Sequence, residues 1–231
     1  MRILVTGATK GIGKVIAENL EGEIYATGRN LEVLKIFPNY YQADLTSEEG
    51  LVALGDYLEA NNIDVLINNA GMYIWSDVEN MSFTDVQRVI NTNLTAPLYL
   101  ISRAVKNMKK KRFGRIINIG SISGVMGESG ASAYSASKSG LIGMSKALAL
   151  ELAEYNITVN TINPGWVDTE LGSNSIDDSG FSKEEILQTI PQRRFVEPIE
   201  IANMIKYLMS EEAKGVTGQS INLCAGLSVG Y

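Results

Sequence analysis

The chain has 231 residues, of which 45% are hydrophobic and 20% charged, and it contains one cysteine and no histidine. This length suits one domain with a buried core. The formal net charge of -6 argues against nucleic acids or anionic membranes as partners. Without histidine, imidazole-based triads and metal centres are excluded, so we expect no metal, and proton transfer has to use Tyr, Lys, Asp, Glu, Ser or Cys224.

Neither a signal peptide nor a membrane-spanning helix is predicted. The first apolar run covers only residues 3–5 before a glycine turn, whereas a signal peptide needs about 7–15 apolar residues and a membrane helix about 18. The single Cys224 cannot form an internal disulfide, which favours a reducing compartment. We therefore expect a cytoplasmic protein.

Short segments rich in Ile and Val alternate with longer segments whose apolar residues recur at helical spacing. Strands are predicted at residues 3–6, 24–27, 65–68, 116–119, 157–162 and 220–223, and helices at 13–20, 48–61, 83–111, 133–155 and 198–209. Strands without strict alternation are typical of a parallel sheet that is covered on both faces. The repeated β-then-α order therefore predicts an α/β fold in one domain over residues 1–231, a doubly wound parallel sheet (Rossmann fold) of about seven strands with helices on both faces.

The segment 171–183 differs from the rest because it is rich in Gly, Ser, Asn and Asp. This composition predicts a mobile loop that leads into a short helix. Ligands of open α/β sheets bind beyond the carboxyl ends of the strands. We therefore expect residues 171–195 to form a substrate lid, and an ordinary surface loop is the alternative.

A glycine-rich turn, T-G-A-T-K-G-I-G at residues 6–13, connects the first predicted strand to the first predicted helix. Its spacing is G-x-x-x-G-x-G rather than G-x-G-x-x-G. Gly7 permits a tight turn, Gly11 lets the backbone approach a pyrophosphate, and Gly13 lets the helix pack close to the sheet. Unpaired N–H groups at the start of the helix then bind phosphates, so the turn predicts a dinucleotide site.

The end of the second predicted strand indicates which dinucleotide binds. Cofactors without a 2′-phosphate are usually held by an Asp or Glu about 20 residues beyond the turn. Here Gly28 and Arg29 follow the strand instead, and Lys10 lies within the turn. A guanidinium suits a phosphate by charge and geometry. We therefore expect NADP(H) rather than NAD(H), and two solvated surface cations are the alternative.

Further motifs follow in order: N-N-A-G at 68–71, Asn93, Ser121, Y-x-x-x-K from Tyr134 to Lys138, and P-G at 164–165. Together with the glycine turn, they resemble the short-chain dehydrogenase/reductase family in order and spacing over essentially the whole chain. Three segments, I-N-I-G-S at 117–121, G-L-I-G at 140–143 and T-G-Q at 217–219, are most similar to 3-oxoacyl-(acyl-carrier-protein) reductases. The resemblance implies an NADP(H)-dependent oxidoreductase that transfers hydride between nicotinamide and a carbonyl or secondary alcohol.

Four residues are the candidates for catalysis. Tyr134 and Lys138 share one helix face. We expect the ammonium, and the positive nicotinamide ring of the oxidised cofactor, to lower the pKa of the phenol so that Tyr134 exchanges a proton with the substrate oxygen. Ser121, at the end of a strand, hydrogen-bonds that oxygen. The resemblance adds that Lys138 holds the nicotinamide ribose and that Asn93 bends its helix and orders a water in a proton relay to Lys138. Each residue alone also has an ordinary structural explanation.

The resemblance implies further cofactor contacts, including adenine at Asp44 and the nicotinamide carboxamide near Pro164. The predicted set surrounds the cofactor from the glycine turn to the end of the sixth strand. It comprises Gly7, Thr9, Lys10, Gly11, Ile12, Gly13, Arg29, Asp44, Leu45, Asn69, Ala70, Gly71, Tyr134, Lys138, Pro164, Gly165, Val167 and Thr169.

The substrate is specified less closely, because N-L-C-A-G at 222–226 lacks the D-G-G that is usual in carrier-protein reductases. A sugar, polyol or other secondary-alcohol dehydrogenase and a non-catalytic dinucleotide-sensing protein are the alternatives. Three arginines are candidates for binding an acidic carrier protein, and solvated surface charges are the alternative. They are Arg112, Arg193 and Arg194. Residues of an apolar substrate site, or of the core, are Tyr73, Trp75, Met126 and Trp166.

Small residues on the outer face of helix 133–155 predict close approach of another helix. They are Ser135, Ala136, Ser139, Gly140 and Gly143. We therefore expect a homotetramer or homodimer, as in most members of the family, and packing within one chain is the alternative.

Overall fold

A computed structural model of the chain describes residues 1–169, 172, 176 and 181–229. Its centre is a seven-stranded sheet with the order β3-β2-β1-β4-β5-β6-β7, and every neighbouring pair is parallel. The strands are β1 (Arg2–Thr6), β2 (Glu23–Gly28), β3 (Asn39–Gln42), β4 (Val65–Asn68), β5 (Gly114–Ile119), β6 (Ile157–Pro164) and β7 (Ser220–Leu223). The predicted doubly wound sheet is confirmed.

Helices connect the strands and cover both faces of the sheet. They are α1 (Gly11–Asn19), α2 (Leu31–Leu34), α3 (Glu48–Ala60), α4 (Phe83–Ile90), α5 (Ala96–Lys111), α6 (Ser123–Met126), α7 (Ser132–Leu152), α8 (Lys183–Thr189) and α9 (Pro198–Met209). None of the helices in the described part of the chain is long and apolar enough to cross a membrane.

Two apolar clusters bury the two faces of the sheet. Successive side chains of a strand point to opposite faces, and β1 accordingly contributes Ile3 and Val5 to one cluster and Leu4 to the other. The first cluster packs against α1 and α9, and the second packs against α3, α5 and α7. Both faces of the sheet are therefore covered, and its carboxyl edge is left for the loops.

The predicted helix at residues 83–111 is interrupted. Five residues, Asn91–Thr95, form a π-helical segment between α4 and α5. Such segments are rare and occur often at functional sites. This one contains Asn93, which is 1% exposed.

The strand β3 was missed by the apolar pattern because N-Y-Y-Q contains no Ile or Val. It lies at the edge of the sheet and pairs only with β2. Its Tyr41 ring stacks on Tyr57 of α3 with the ring centroids 4.6 Å apart. The strand is therefore stabilised by an aromatic contact that its own sequence does not reveal.

The predicted lid at residues 171–195 falls partly outside the described residues, since 170, 171, 173–175 and 177–180 are not described. The described part contains α8, and a capping box between Ser182 and Glu185 stabilises the start of this helix. Ile186 and Ile190 pack with Leu227 in a third apolar cluster. This end of the segment is thus attached to the body of the protein.

Candidate active site

A cleft of about 470 Å³ lies at the carboxyl ends of the strands, where the loops after β1 and β4 diverge. This is the point at which the strand order reverses, and open α/β sheets bind ligands there. Every residue predicted to contact the cofactor lines this cleft. Ser121 also lines it, whereas Asn93 lies buried behind it.

The glycine turn between β1 and α1 forms one end of the cleft. Gly7 and Gly11 have φ values of 69° and 53°, which favour glycine. A Cβ at Gly13 would overlap the Gly7 carbonyl oxygen and lie 2.8 Å from its carbonyl carbon. Asn69 ties the turn to β4, because its Nδ2 donates to the carbonyl oxygen of Thr6 at 2.9 Å. The turn is thus fixed by contacts that tolerate no larger side chain.

The start of α1 is suited to an anion. No side chain caps α1, and its first turn contains no acidic residue. By contrast, Ser47, Ser82 and Ser182 cap α3, α4 and α8, each of which has acidic residues in its first turn. The partial positive charge of α1 is therefore left for a ligand in the cleft.

The cleft continues past the end of β2, where Arg29 and Lys10 are both exposed. Gln42 holds the Arg29 backbone by donating from Nε2 to its carbonyl oxygen at 2.8 Å. The Asp44 carboxylate accepts hydrogen bonds from the Thr46 N–H at 2.9 Å and hydroxyl at 2.8 Å. The pKa of Asp44 is lowered mainly by the Thr46 N–H and further by Arg29, although partial burial opposes this.

Ser121, Tyr134 and Lys138 meet in the middle of the cleft. Ser121 follows the end of β5 and lines the cleft together with Tyr134 of α7, whose pKa the Ser121 side chain lowers. Lys138, one turn further along α7, donates from Nζ to the carbonyl oxygen of Ile119 at 2.8 Å and lies 5.6 Å from the centre of the Tyr134 ring. The structure therefore brings Ser121, Tyr134 and Lys138 together in one cleft.

The surroundings shift the pKa values of both ionisable groups. Burial raises the pKa of Tyr134 to about 12, and the Glu128 charge adds to this, while the hydrogen bond with Ser121 acts in the opposite direction. Burial lowers the pKa of Lys138 to about 8. The protein's own groups therefore raise the pKa of Tyr134 rather than lower it, because burial is the largest contribution and the Glu128 charge acts in the same direction. At neutral pH Tyr134 is a protonated phenol.

The Asn93 side chain is held in the π-helical segment. Its Oδ1 accepts from the N–H of Met72 at 2.8 Å, and its Nδ2 donates to the carbonyl oxygen of Met72 at 2.9 Å and to Ser137 Oγ at 3.1 Å. A Cβ at Gly71 would lie 3.3 Å from Asn93 Oδ1 and 3.5 Å from Lys138 Nζ. Asn93 therefore joins the loop after β4 to α7 beside Lys138.

Motif reasoning missed a carboxylate in the catalytic half of the cleft. Glu128 Oε1 accepts from the Tyr73 hydroxyl at 2.9 Å, and Oε2 accepts from the Ser123 hydroxyl at 2.5 Å. Ser123 Oγ accepts in turn from the Ser121 hydroxyl at 3.0 Å. One signal was available, because Glu128 is the only charged residue between Ser121 and Lys138.

The residues proposed for an apolar substrate site divide into two groups. Tyr73, Met126 and Trp166 line the cleft. Trp75 does not line it and packs against Gly130, where a Cβ would overlap its indole ring. The cleft therefore has an apolar wall beside the catalytic constellation.

The three arginines considered for a carrier protein all have partners within the chain. Arg112 donates to the carbonyl oxygen of Glu154 at 2.6 Å and precedes β5, at the edge of the sheet opposite the cleft. Arg193 donates to the carbonyl oxygen of Gln188. Arg194 pairs with Glu200 at 2.6 Å. Among the described residues, no group of three or more His, Cys, Asp and Glu is arranged to hold a metal.

Known proteins share this sequence and geometry. A family model described as "Enoyl-(Acyl carrier protein) reductase" matches residues 7–228. Nodulation protein G of Rhizobium sp. (strain N33) is 39% identical over 99% of this chain and 97% of its own length. The 3-oxoacyl-(acyl-carrier-protein) reductase FabG of Buchnera aphidicola subsp. Schizaphis graminum is 37% identical over 97% of this chain and 96% of its own length.

Solved structures agree with these sequence matches. A single-residue variant of actinorhodin polyketide ketoreductase, crystallised with NADPH, has a TM-score of 0.91 and 33% identity, covering 99% of this chain and 97% of its own. A putative NAD(P)-dependent gluconate 5-dehydrogenase from Beutenbergia cavernae has a TM-score of 0.91 and 30% identity, covering 98% of this chain and 96% of its own. By fold, by family model and by sequence identity, the chain belongs to the short-chain dehydrogenase/reductase family of oxidoreductases.

Proposed function

We propose that this protein is an NADP(H)-dependent reductase that interconverts a carbonyl group and a secondary alcohol, with 3-oxoacyl thioesters as the first substrate class. The observation that carries the proposal is the meeting of Ser121, Tyr134 and Lys138 in the same cleft as the glycine turn. Relatives named 3-oxoacyl reductases and a ketoreductase crystallised with NADPH support it.

Two glycines support the fit of a dinucleotide in the cleft. A Cβ at Gly11 would lie 3.7 Å from the Thr169 side chain across the cleft. A Cβ at Gly71 would enter the space beside Asn93 and Lys138. Glycine at both positions keeps open a continuous path along the carboxyl edge of the sheet, so the residues present fit the predicted cofactor.

We assign the parts of the cofactor to groups along this path. The backbone N–H groups of residues 11–13 would hold the pyrophosphate, and Arg29 with Lys10 would hold the 2′-phosphate. Asp44 and Leu45 would contact the adenine, and Lys138 the nicotinamide ribose. The nicotinamide itself would lie against Pro164, Gly165, Val167 and Thr169.

When bound, the dinucleotide supplies the hydride for the carbonyl carbon. Tyr134 donates its phenolic proton to the carbonyl oxygen, and Ser121 hydrogen-bonds the same oxygen. The Lys138 ammonium then stabilises the negative charge that is left on the Tyr134 oxygen. At neutral pH the Tyr134 phenol is protonated, as the proton donor in carbonyl reduction has to be.

We expect reduction to be lost on the alkaline side as Lys138 loses its charge. Its pKa is about 8, whereas that of Tyr134 is about 12, so Lys138 titrates first as the pH rises. The kcat/KM for carbonyl reduction should be flat below pH ~7 and fall about tenfold per pH unit well above 8. A pH–rate profile measures this.

The variant Lys138→Arg provides the control for that profile, because a guanidinium stays protonated in this range. Its activity at neutral pH should be lower than that of the wild type. The pH at which kcat/KM begins to fall on the alkaline side should be more than one unit higher than in the wild type. If kcat/KM fell at the same alkaline pH in both proteins, this would contradict the role of Lys138.

Replacing Arg29 should change the cofactor preference. In Arg29→Asp, a carboxylate repels the 2′-phosphate and suits a ribose hydroxyl. We expect kcat/KM with NADPH to fall roughly 10- to 100-fold while that with NADH rises. The charge reversal Lys35→Asp, at an exposed pair with Glu32 outside the cleft, should leave the ratio unchanged. Equal ratios in all three proteins would refute the phosphate-binding role.

A second candidate function is a sugar, polyol or other secondary-alcohol dehydrogenase, which the structural likeness to a putative gluconate 5-dehydrogenase favours. NADPH oxidation over a panel of 3-oxoacyl thioesters, ketones and keto sugars distinguishes the two functions. Dinucleotide binding without turnover on any member would support the alternative of a dinucleotide-sensing protein. The presence of all four candidate catalytic residues disfavours that alternative.

The remaining predictions concern assembly, location and the lid. Ala136 and Gly143 are exposed on α7, and beyond the helix's own backbone no described atom lies within 4 Å of a Cβ built at Gly143, which supports a homotetramer or homodimer. Ser139 and Gly140 instead pack within the chain, because Ser139 donates to the carbonyl oxygen of Gly124 and a Cβ at Gly140 would lie 2.7 Å from Leu94. The cytoplasmic location and the lid role of residues 171–195 stay predictions. Gly172, near the start of that segment, lines the cleft, which supports the lid role.

A further inference from the structure

The carboxylate of Glu128 lies within the catalytic half of the cleft. It accepts hydrogen bonds from Tyr73 at one oxygen and from Ser123 at the other. Ser123 also contacts Ser121, at 3.0 Å between the two hydroxyl oxygens. The carboxylate is therefore two hydrogen bonds away from the hydroxyl that is proposed to bind the substrate oxygen.

The described partners of this carboxylate are hydroxyl groups and not cations. The cations that line the cleft are placed elsewhere: Lys10 and Arg29 lie at the glycine-turn end, and Lys138 donates to the carbonyl oxygen of Ile119. Hydroxyl groups orient a carboxylate without cancelling its charge. The carboxylate therefore keeps its charge near the reacting groups, and this charge contributes to the raised pKa of Tyr134.

The surface around Glu128 offers little that would attract an anionic substrate. Four apolar residues line the same cleft, namely Ile122, Met126, Trp166 and Leu227. Trp166 stacks on Phe195 with ring centroids 6.4 Å apart, which holds this wall in place. A substrate that reaches Tyr134 therefore meets apolar side chains and a negative charge in this cleft.

We propose that Glu128 is a specificity-determining residue that selects uncharged carbonyl substrates, such as esters and thioesters of 3-oxo acids, and rejects those with a carboxylate close to the reacting carbonyl. The inference rests on the proposed reductase function. Within that function it separates neutral acyl derivatives from sugar acids and free oxo acids, which share the reaction but carry a charge that Glu128 repels.

The test uses two substrates that differ in one group, ethyl 3-oxobutanoate and 3-oxobutanoate. For wild-type enzyme with NADPH, kcat/KM should be about tenfold or more higher for the ester. That factor corresponds to two like charges roughly 6 Å apart at an effective dielectric constant of about 40. In Glu128→Gln, which keeps the shape and the acceptor oxygen but removes the charge, the ratio should fall below about threefold. Because the ratio is taken within each protein, a general loss of activity cancels.

Two further variants separate charge from other effects. Tyr73→Phe removes one hydrogen bond to Glu128 but keeps its charge, so the preference for the ester should persist. Glu151→Gln removes a carboxylate from the outer surface, where it pairs with Lys109, and should also retain the preference. Quenching of tryptophan fluorescence by ethyl 3-hydroxybutanoate and 3-hydroxybutanoate gives a binding readout, because Trp166 lines the cleft.

The outcomes distinguish the inference from the function on which it rests. An unchanged ratio in Glu128→Gln, or equal kcat/KM for the two substrates in the wild type, overturns the role of Glu128 while leaving a working reductase. If the enzyme turns over neither of these two substrates and no ketone either, the proposed function is overturned and the inference with it. A preference for the ester that is lost only in Glu128→Gln is the expected result.

Discussion

The variant Tyr134→Phe should lose at least about 10³-fold in kcat for carbonyl reduction, within the range that a positioned proton donor contributes. Phenylalanine keeps the ring, which packs edge-on against Tyr73 with centroids 5.1 Å apart, and removes only the hydroxyl. Because the ring and its packing are kept, stability should change by no more than about 1 kcal/mol. Steady-state kinetics, thermal unfolding and NADPH titration measure the three effects.

The matched control for this variant is Tyr207→Phe. Tyr207 lies on α9, is 48% exposed and does not line the cleft, so removing its hydroxyl should change neither kcat nor NADPH affinity. In Tyr134→Phe, NADPH affinity should stay within about threefold of the wild type, because the hydroxyl is assigned to proton transfer. A Tyr134→Phe enzyme with near wild-type kcat would contradict the proposed mechanism.

The variant Gly13→Ala should lose NADPH binding and stability together. Its Cβ would overlap the Gly7 carbonyl oxygen and the Asn69 side-chain nitrogen, so the turn has to move. Overpacking of this kind costs about 1–3 kcal/mol. Because the same movement displaces the N–H groups assigned to the pyrophosphate, we expect NADPH affinity to fall more than about tenfold. Denaturant unfolding and NADPH titration measure the two effects.

Gly215→Ala shows what the same exchange does elsewhere. Gly215 is exposed, does not have a positive φ, and no described atom lies within 4 Å of a Cβ built on it. Alanine there should be neutral or should stabilise the protein by up to about 1 kcal/mol, because it restricts the unfolded chain. If Gly13→Ala behaved like Gly215→Ala, the glycine turn would not have the tight contacts described above.

The sheet and most of the cofactor end of the cleft follow from local patterns. The Ile- and Val-rich strands β1, β4 and β5 are buried and were predicted from composition alone. The need for glycine in the turn can be inferred from the sequence, because a positive φ and a close backbone approach involve only a short stretch of the chain. Arg29 could be identified because it follows the second predicted strand directly in the sequence.

Other features depend on contacts between distant parts of the chain. The edge strand β3 needs the stacking of Tyr41 on Tyr57 of α3. The π-helical segment at Asn93 is held by Met72 and by Ser137 of α7. Glu128 belongs to no motif, and only the fold brings it next to Ser123 and Tyr73. Such tertiary contacts leave no periodicity in the sequence.

The direction of the tyrosine pKa shift has the same origin. The expectation of a lowered pKa considered the Lys138 ammonium, which the spacing along α7 makes a neighbour. Burial of Tyr134 and the charge of Glu128 act in the opposite direction, and neither can be evaluated without coordinates. The result is a phenol that is protonated at neutral pH, as a reductase requires.

The central claim is that this cleft reduces carbonyl groups with NADPH. The most direct measurement incubates the purified protein with NADPH and a 3-oxobutanoyl thioester and quantifies both NADPH consumption and the alcohol product. We expect that one 3-hydroxybutanoyl thioester forms for each NADPH consumed, and that neither change occurs with Tyr134→Phe. NADPH that binds but is not consumed with this thioester or with any ketone of the panel would contradict the claim.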